Sequence, residues 1–382
     1  MPNAFGVISN ECRTMKLSLL SVVAAAILMA APVTTTPAWA APAAAQTAKV
    51  DLPRVAILAT GGTIASRGSS SLSLTDYGVG SGHKPVGVEV LVDAVPEIKN
   101  FAQISGEQVF NVGSSKLSID NWLTLANRIN ELLATPSVDG IVVTHGTDTL
   151  EETAYFLNLV VKSDKPVVLV GSMRPATGLS ADGPLNLVNA VALAGSRDAQ
   201  GRGVMVVMND QISSAFNVTK RNSTNVATFR CPDTGFLGYM QNNKPYFFNT
   251  VNKRHTTKSE FSIKGLKTLP RVDVHYTTLG EDGKVVDAMV KIGAKGIVNA
   301  GLGHANVPNA VMDSLIAAQK AGTVVVVGSR VGTGLITPLN KFSKHGFVSA
   351  MMHTPQKARI LLMLALTKTN DPKEIQRIFD EY

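Results

Sequence analysis

The sequence predicts an α/β fold of two domains. The larger N-terminal one rests on a parallel-rich sheet with flanking helices, the smaller C-terminal one on a parallel sheet. Three observations lead there. Apolar runs of strand length, such as "VAILAT", "GIVVTH" and "TVVVVGS", alternate with helical periodicity, as parallel strands covered on both faces require. The alternation stops and restarts across a basic, polar stretch, "NKRHTTKSEFSIKGLKTLPR" (Asn252 to Arg271). A chain of 382 residues, 45% hydrophobic, is long enough for about two cores.

The elements follow in order. "VAILAT" reads as a strand, and a Gly/Ser-rich stretch follows it to Gly82. "VEVLVDAV" and "NWLTLANRINELL" carry apolar residues at helical spacing, and "GIVVTH" is the next strand. Helix "LEETAYFLNLVV", strand "KPVVLVGS", helix "PLNLVNAVALA" and strand "GVMVVMND" complete the first series. The second series runs "RVDVHY", helix "VVDAMVKIG", strand "KGIVNAG", helix "NAVMDSLIAAQKA", strand "TVVVVGS". Two helices, "PQKARILLMLAL" and "DPKEIQRIFDEY", close the chain. In open α/β sheets ligands bind beyond the carboxyl ends of strands. Three such ends carry unusual polar sequences, "ATGGT", "VTHGTDT" and "VGSMRP", and point to one crevice.

The first 40 residues are expected to be a secretory signal peptide. Met15 to Ala40 has a basic start at Lys16, an apolar run from Leu17 to Ala31 and a closing Ala-Trp-Ala, the layout of a cleavable leader whose apolar run is short for a membrane span. The expected division is therefore signal peptide 1–40, N-terminal domain 41–251, linker 252–270 and C-terminal domain 271–382. Cleavage would remove Arg13, Lys16 and Glu11, taking the net charge from +8 to +7. A soluble, periplasmic protein with no membrane attachment after cleavage is the expectation. The densest basic stretch, Asn252 to Arg271, reads as a solvated connector, so no nucleic-acid partner is expected. Cys12 would leave with the leader, and Cys231 alone cannot form an intrachain disulfide and reads as structural. The seven histidines are scattered, which gives no metal-ligand pattern.

Two stretches carry the chemistry. "ATGGTIAS" (Ala59 to Ser66) lacks the lysine of a phosphate loop and the third glycine of a dinucleotide loop. A plain turn explains its glycines but not the threonines that bracket them. "VVTHGTDTLEET" (Val142 to Thr153) repeats the plan of strand, glycine and threonine at a helix start. Helix capping is a competing explanation for Asp148 or Thr149 there, while free amides after the glycines suit an anion or a developing oxyanion.

Together the two stretches resemble the L-asparaginase family, specifically the exported type II enzymes and the glutaminase-asparaginases. The resemblance extends through "GEQVFNVGSS", "VGSMRPATGLSADGP", "NVTKRNSTNVATFR", "GIVNAGLGHANV" and the "PQKAR" helix. It implies an amidohydrolase that converts L-asparagine, and in some members L-glutamine, to the acid and ammonia, with no metal or organic cofactor. It implies Thr63 as nucleophile and Tyr77, in the loop from Gly68 to Gly82, as its partner. Such a loop suits a lid that excludes water. It further implies a proton relay of Thr147, Asp148 and Lys220. For substrate binding it implies Ser114 and the main chain at Gly62 and Gly146 for the α-carboxylate, and Asp148 for the α-ammonium. The Ser172 carbonyl would hold the amide, and Asn306 would reach in from a neighbouring subunit. The implied assembly is a homotetramer, a dimer of intimate dimers.

Two departures concern substrate binding. Where the family commonly has Gln or Glu after the carboxylate-binding serine, this chain has Ser115. Beyond "GSRVGTG", where many relatives place a glutamate from the partner subunit, "LITPLNKFSKHGF" contains no acidic residue. One lost charge-assisted hydrogen bond weakens binding by roughly 1.5–3 kcal/mol. A silent periplasmic amino-acid-binding protein of the same fold is the alternative these departures raise, and retention of Thr63, Tyr77, Thr147, Asp148 and Lys220 weighs against it.

Overall fold

A computed structural model describes residues 51–78, 82 and 86–382. The expected leader, Met15 to Ala40, lies outside the described residues. In the first series, β1 (Arg54–Ala59), α1 (Val88–Asp93), β2 (Gln103–Gln108), α2 (Ile119–Leu133), β3 (Gly140–Thr144), α3 (Leu150–Val160), β4 (Val167–Val170), α4 (Gly183–Ala194) and β5 (Val204–Met208) follow one another. β6 (Gln211–Ser214), β7 (Thr219–Lys220), β8 (Phe229–Arg230), β9 (Gly238–Gln241) and β10 (Lys244–Phe247) come next. The second series holds β11 (Val272–Tyr276), α5 (Lys284–Lys291), β12 (Gly296–Gly301), α6 (Asn309–Lys320), β13 (Val324–Ser329), α7 (Asn340–Ser343), β14 (Val348–Ser349), α8 (Pro355–Ala365) and α9 (Pro372–Glu381).

Among the described residues these strands form an eight-stranded sheet ordered β10-β9-β6-β5-β4-β3-β1-β2 and a four-stranded sheet ordered β11-β12-β13-β14. The smaller sheet is parallel throughout. In the larger one, β2, β1, β3, β4 and β5 run parallel, and β6, β9 and β10 add an antiparallel extension. The two-domain α/β architecture read from the sequence is the one observed. β3, β4 and β5 are buried at every residue, which is why they read as unbroken Val/Ile/Met runs. β2, "QISGEQ", is an edge strand exposed or half-buried along its length and left no apolar run to find.

α2 starts on a capping box: the Ser118 hydroxyl accepts from the Asn121 amide, and the Asn121 side chain accepts from the Ser118 amide, satisfying two end groups of the helix. Its apolar face buries Trp122, Leu125, Ala126, Ile129 and Leu133. α3 is buried along nearly its whole length, against β5 and α8. One apolar cluster runs from Leu58, Val143 and Phe156 through to Val298, Val326 and Leu361, so both sheets share it.

The basic connector departs from expectation, because it is solvated only in part. Phe261, Ile263 and Leu269 are buried in the shared core. Its charges pair with the C-terminal helix and the turn before it instead of facing water alone: Arg254 meets Glu381 at 2.6 Å, and Glu260 meets Arg377 at 2.8 Å and Lys368 at 2.7 Å. Alternating basic and apolar residues look polar on average, yet here they strap the chain to its last helix.

Candidate active site

β1 leads outward to β2, and the chain then returns to β3 on the other side of β1. This reversal of winding direction opens a crevice beyond the carboxyl ends of β1 and β3. The two ends are level, with Ala59 opposite Thr144, and the Thr60 amide and hydroxyl both donate to the Thr144 carbonyl, at 3.1 and 2.8 Å.

After Thr60 the chain turns sharply through Gly61 (φ 106°) and Gly62 (φ 91°), conformations open to glycine at little cost. Space demands glycine as well. A Cβ on Gly62 would lie 2.4 Å from the Gly146 main chain, and one on Gly146 would lie 2.6 Å from Ser114 Oγ. The two polar loops and the Ser114 loop therefore meet with almost nothing between them. Thr63 opens a short 3-10 turn to Ala65 and is buried. Its Oγ1 lies 3.0 Å from the Tyr77 hydroxyl.

Tyr77 is held by a docked loop. It forms a β-bridge with Gly68, whose amide donates to Thr177 Oγ1 at 2.9 Å, and the Leu179 amide donates to the Ser71 carbonyl at 2.8 Å. The segment after β1 thus rests on the segment after β4.

At the end of β3, Lys220 Nζ donates to Thr147 Oγ1 and to Asp148 Oδ1, both at 2.9 Å. Thr147 is buried, while the Asp148 side chain is 62% exposed against 17% for Lys220, so water reaches this pair from the carboxylate side. Neither Asp148 nor Thr149 caps α3. Thr149 occupies the cap position without a capping bond, and its hydroxyl donates 2.9 Å to the Ser114 carbonyl. That bond ties the Ser114 loop to the second motif.

Thr63, Tyr77, Ser114, Thr147, Asp148 and Lys220 line a single cavity of about 570 Å³, with Gly62, Ser115 and Gly146 also on its wall. Ser172 and Asn306 do not line it. Ser172 is fully buried behind Met173 and Arg174, which do, and its hydroxyl donates to the Arg174 carbonyl. Asn306 is exposed on the turn after β12, where its side chain accepts from Lys341.

Sequence reasoning gave no role to several groups that shape these walls. The Asp182 carboxylate accepts from the amides of Met173 and Arg174, at 2.9–3.1 Å, and from Asn186 Nδ2. It sits inside "ADGP", where an aspartate before Gly-Pro reads only as a turn. His145 is fully buried, and burial lowers its pKa to about 4. Being neutral, it donates from Nδ1 to the Gly146 carbonyl at 2.7 Å and accepts at Nε2 from Thr153, which accepts from Trp122 Nε1. This chain of bonds runs from α2 through α3 to the main chain at Gly146, and long-range partners of that kind leave no local signature.

Residues 54–253 match the family model described as asparaginase, N-terminal, and residues 271–379 that of the glutaminase/asparaginase C-terminal domain. L-asparaginase 2 of Bacillus subtilis is 52% identical over 334 residues, 87% of this chain and 88% of that protein. The glutaminase-asparaginase of Pseudomonas fluorescens biotype A is 47% identical over 89% of this chain and 95% of its own length. A solved structure, the probable cytoplasmic L-asparaginase from Campylobacter jejuni, superposes with a TM-score of 0.83 at 49% identity, covering 86% of this chain and 100% of that one. With both of its domains matched and relatives this similar along nearly their whole length, the chain belongs to the asparaginase family.

Proposed function

We propose that this chain is an exported L-asparaginase that hydrolyses L-asparagine to L-aspartate and ammonia and accepts L-glutamine as a second substrate. The observation that carries the reading is the Lys220 amine, 2.9 Å from both Thr147 Oγ1 and Asp148 Oδ1, on the same cavity as Thr63. A threonine hydroxyl needs a partner to take its proton and donors for the oxygen that becomes charged. Tyr77, 3.0 Å from Thr63 Oγ1, supplies the first as a proton carrier, and the main-chain amides that follow the glycines, those of Thr63 and Thr147, supply the second.

In the first step Thr63 Oγ1 bonds to the side-chain amide carbon as its proton passes to the Tyr77 oxygen and the phenolic proton of Tyr77 passes on to the relay. The C–N bond then breaks, and the nitrogen leaves as ammonia with a proton relayed through Thr147. Lys220 donates to Thr147 Oγ1, which leaves the hydroxyl proton of Thr147 free to turn toward the cavity. In the second step water attacks the ester, gives up a proton to the relay and releases aspartate, restoring Thr63. Ser114 and the amides near Gly62 and Gly146 bind the α-carboxylate, and Asp148 the α-ammonium. Asn306, exposed and outside this cavity, is available to a neighbouring subunit's site, as a homotetramer of intimate dimers requires. Export to the periplasm rests on the leader-like layout of Met15 to Ala40.

The test is ammonia release from L-asparagine by the purified protein and its Thr63→Ala variant. The variant is expected to lose about 10³-fold or more in kcat. Wild-type turnover in Thr63→Ala removes Thr63 as nucleophile, and a parent protein that binds asparagine without releasing ammonia is a binding protein instead.

A further inference from the structure

Lys357, in the first turn of α8, is buried to 1% exposure. Its Nζ donates to the carbonyls of Ala215 (2.9 Å), Phe216 (2.8 Å) and Val218. An ammonium has three N–H donors, so this one is saturated, entirely by main chain. Burial draws its pKa down to about 8, opposed chiefly by Glu151. An apolar side chain would fill such a place without the desolvation cost of a charge. What the ammonium adds is direction, because it fixes where three carbonyls within residues 215–218 point.

Those carbonyls belong to the turn between β6 and β7. The Val218 amide closes that turn onto the Ser214 carbonyl at 3.0 Å, and β7, Thr219–Lys220, begins at the next residue. β7 is only two residues long and, among the described residues, pairs with β8 alone, so its aim depends on what precedes it. Glu151, buried in the first turn of α3, lies beneath. Its Oε1 accepts from the Lys220 amide and from Gln356 Nε2, each at 3.4 Å. The first turn of α8 therefore grips the segment that carries Lys220 and also the carboxylate under it.

We propose that Lys357 and Glu151 are positioning residues for Lys220, setting the path of residues 215–220 so that the Lys220 amine arrives between Thr147 and Asp148. The inference rests on the role given to Lys220 above. Neither residue lines the cavity, so both act on turnover through the Lys220 segment and leave substrate contacts alone.

The experiment uses the full protein with L-asparagine, the variants Lys357→Met, Glu151→Gln and Lys220→Met, and the two double variants that combine Lys357→Met or Glu151→Gln with Lys220→Met. Folding is checked by thermal melting. Folded Lys357→Met is expected to lose about tenfold or more in kcat with KM within about threefold of the parent. In the Lys220→Met background the same change should have little further effect on kcat, since the residue it aims is gone. A folded Lys357→Met with kcat within about twofold of the parent overturns the proposal. So does a loss that multiplies fully onto that of Lys220→Met, which marks general damage. If Lys357→Met does not fold, Glu151→Gln decides by the same two criteria. An inactive parent, by contrast, sinks the asparaginase reading itself, so the two failures are told apart.

Discussion

Thr63, Thr147 and Asp148 were legible as residues because each follows a buried strand and a glycine, a local pattern with a chemical use. Lys220 and Ser114 had no such signal. Lys220 meets Thr147 across 73 positions of chain, and spacing of that length is invisible without the fold. Capping explained Asp148 and Thr149 well enough on local grounds, yet their side chains turn to Lys220 and Ser114 instead. Ser115 lies exposed on the cavity wall with a side chain too short to reach far into it. On the proposed reading, replacing it by Gln or Glu places a longer polar arm near the substrate's α-ammonium. KM for L-asparagine is expected to fall by about tenfold for a charge-assisted contact, read by steady-state kinetics on both amides. Unchanged KM values and unchanged preference between asparagine and glutamine would show that position 115 does not govern binding.

Among the elements, fully buried strands and amphipathic helices declared themselves by period, whereas β2, β6, β9 and β10 did not. These are edge or antiparallel strands with mixed burial, whose alternation over four to six residues is too brief to separate from loop. The connector misled for a related reason: its apolar residues are single and separated by charges. Loops after strands were marked by composition, but what fixes them was hidden. The Asp182 carboxylate gathers two main-chain amides and one side-chain amide after β4. Asp182→Ala leaves those donors unpaired and is expected to destabilise the fold by about 1–3 kcal/mol. Because Met173 and Arg174 line the cavity, KM should rise with it. Denaturant melts and kinetics measure the two effects, and a variant as stable as the parent would remove Asp182 as the brace of that loop.

At the scale of the whole molecule, buried histidines contribute to the response to acid; burial lowers His255, and His145 and His353 more strongly. Burial depresses His145 to about 4 and His353 to about 3, from an ordinary value of 6.5. Both stay neutral in the fold while the unfolded chain takes up protons, so their contribution is fully present above 6.5. It is lost as pH falls from there through 4 and then 3. Unfolding free energy measured between pH 7 and 4 is expected to decline already below 6.5, ahead of most carboxylates. A stability that stays flat down to pH 5 would mean that neither histidine is held neutral.

The contact between the Gly62 and Gly146 backbones has a consequence for how such a site can be altered. Two main chains already at touching distance leave no slack, so the gap between the Thr63 and Thr147 turns is set by the level ends of β1 and β3. Under the proposed reading, adaptation to a longer or differently charged amide has to come from exposed residues elsewhere on the lining, such as Ser115, Ser223 and Thr224. On that reading the glycine turns hold the chemistry fixed while the exposed lining is left to set the choice of substrate.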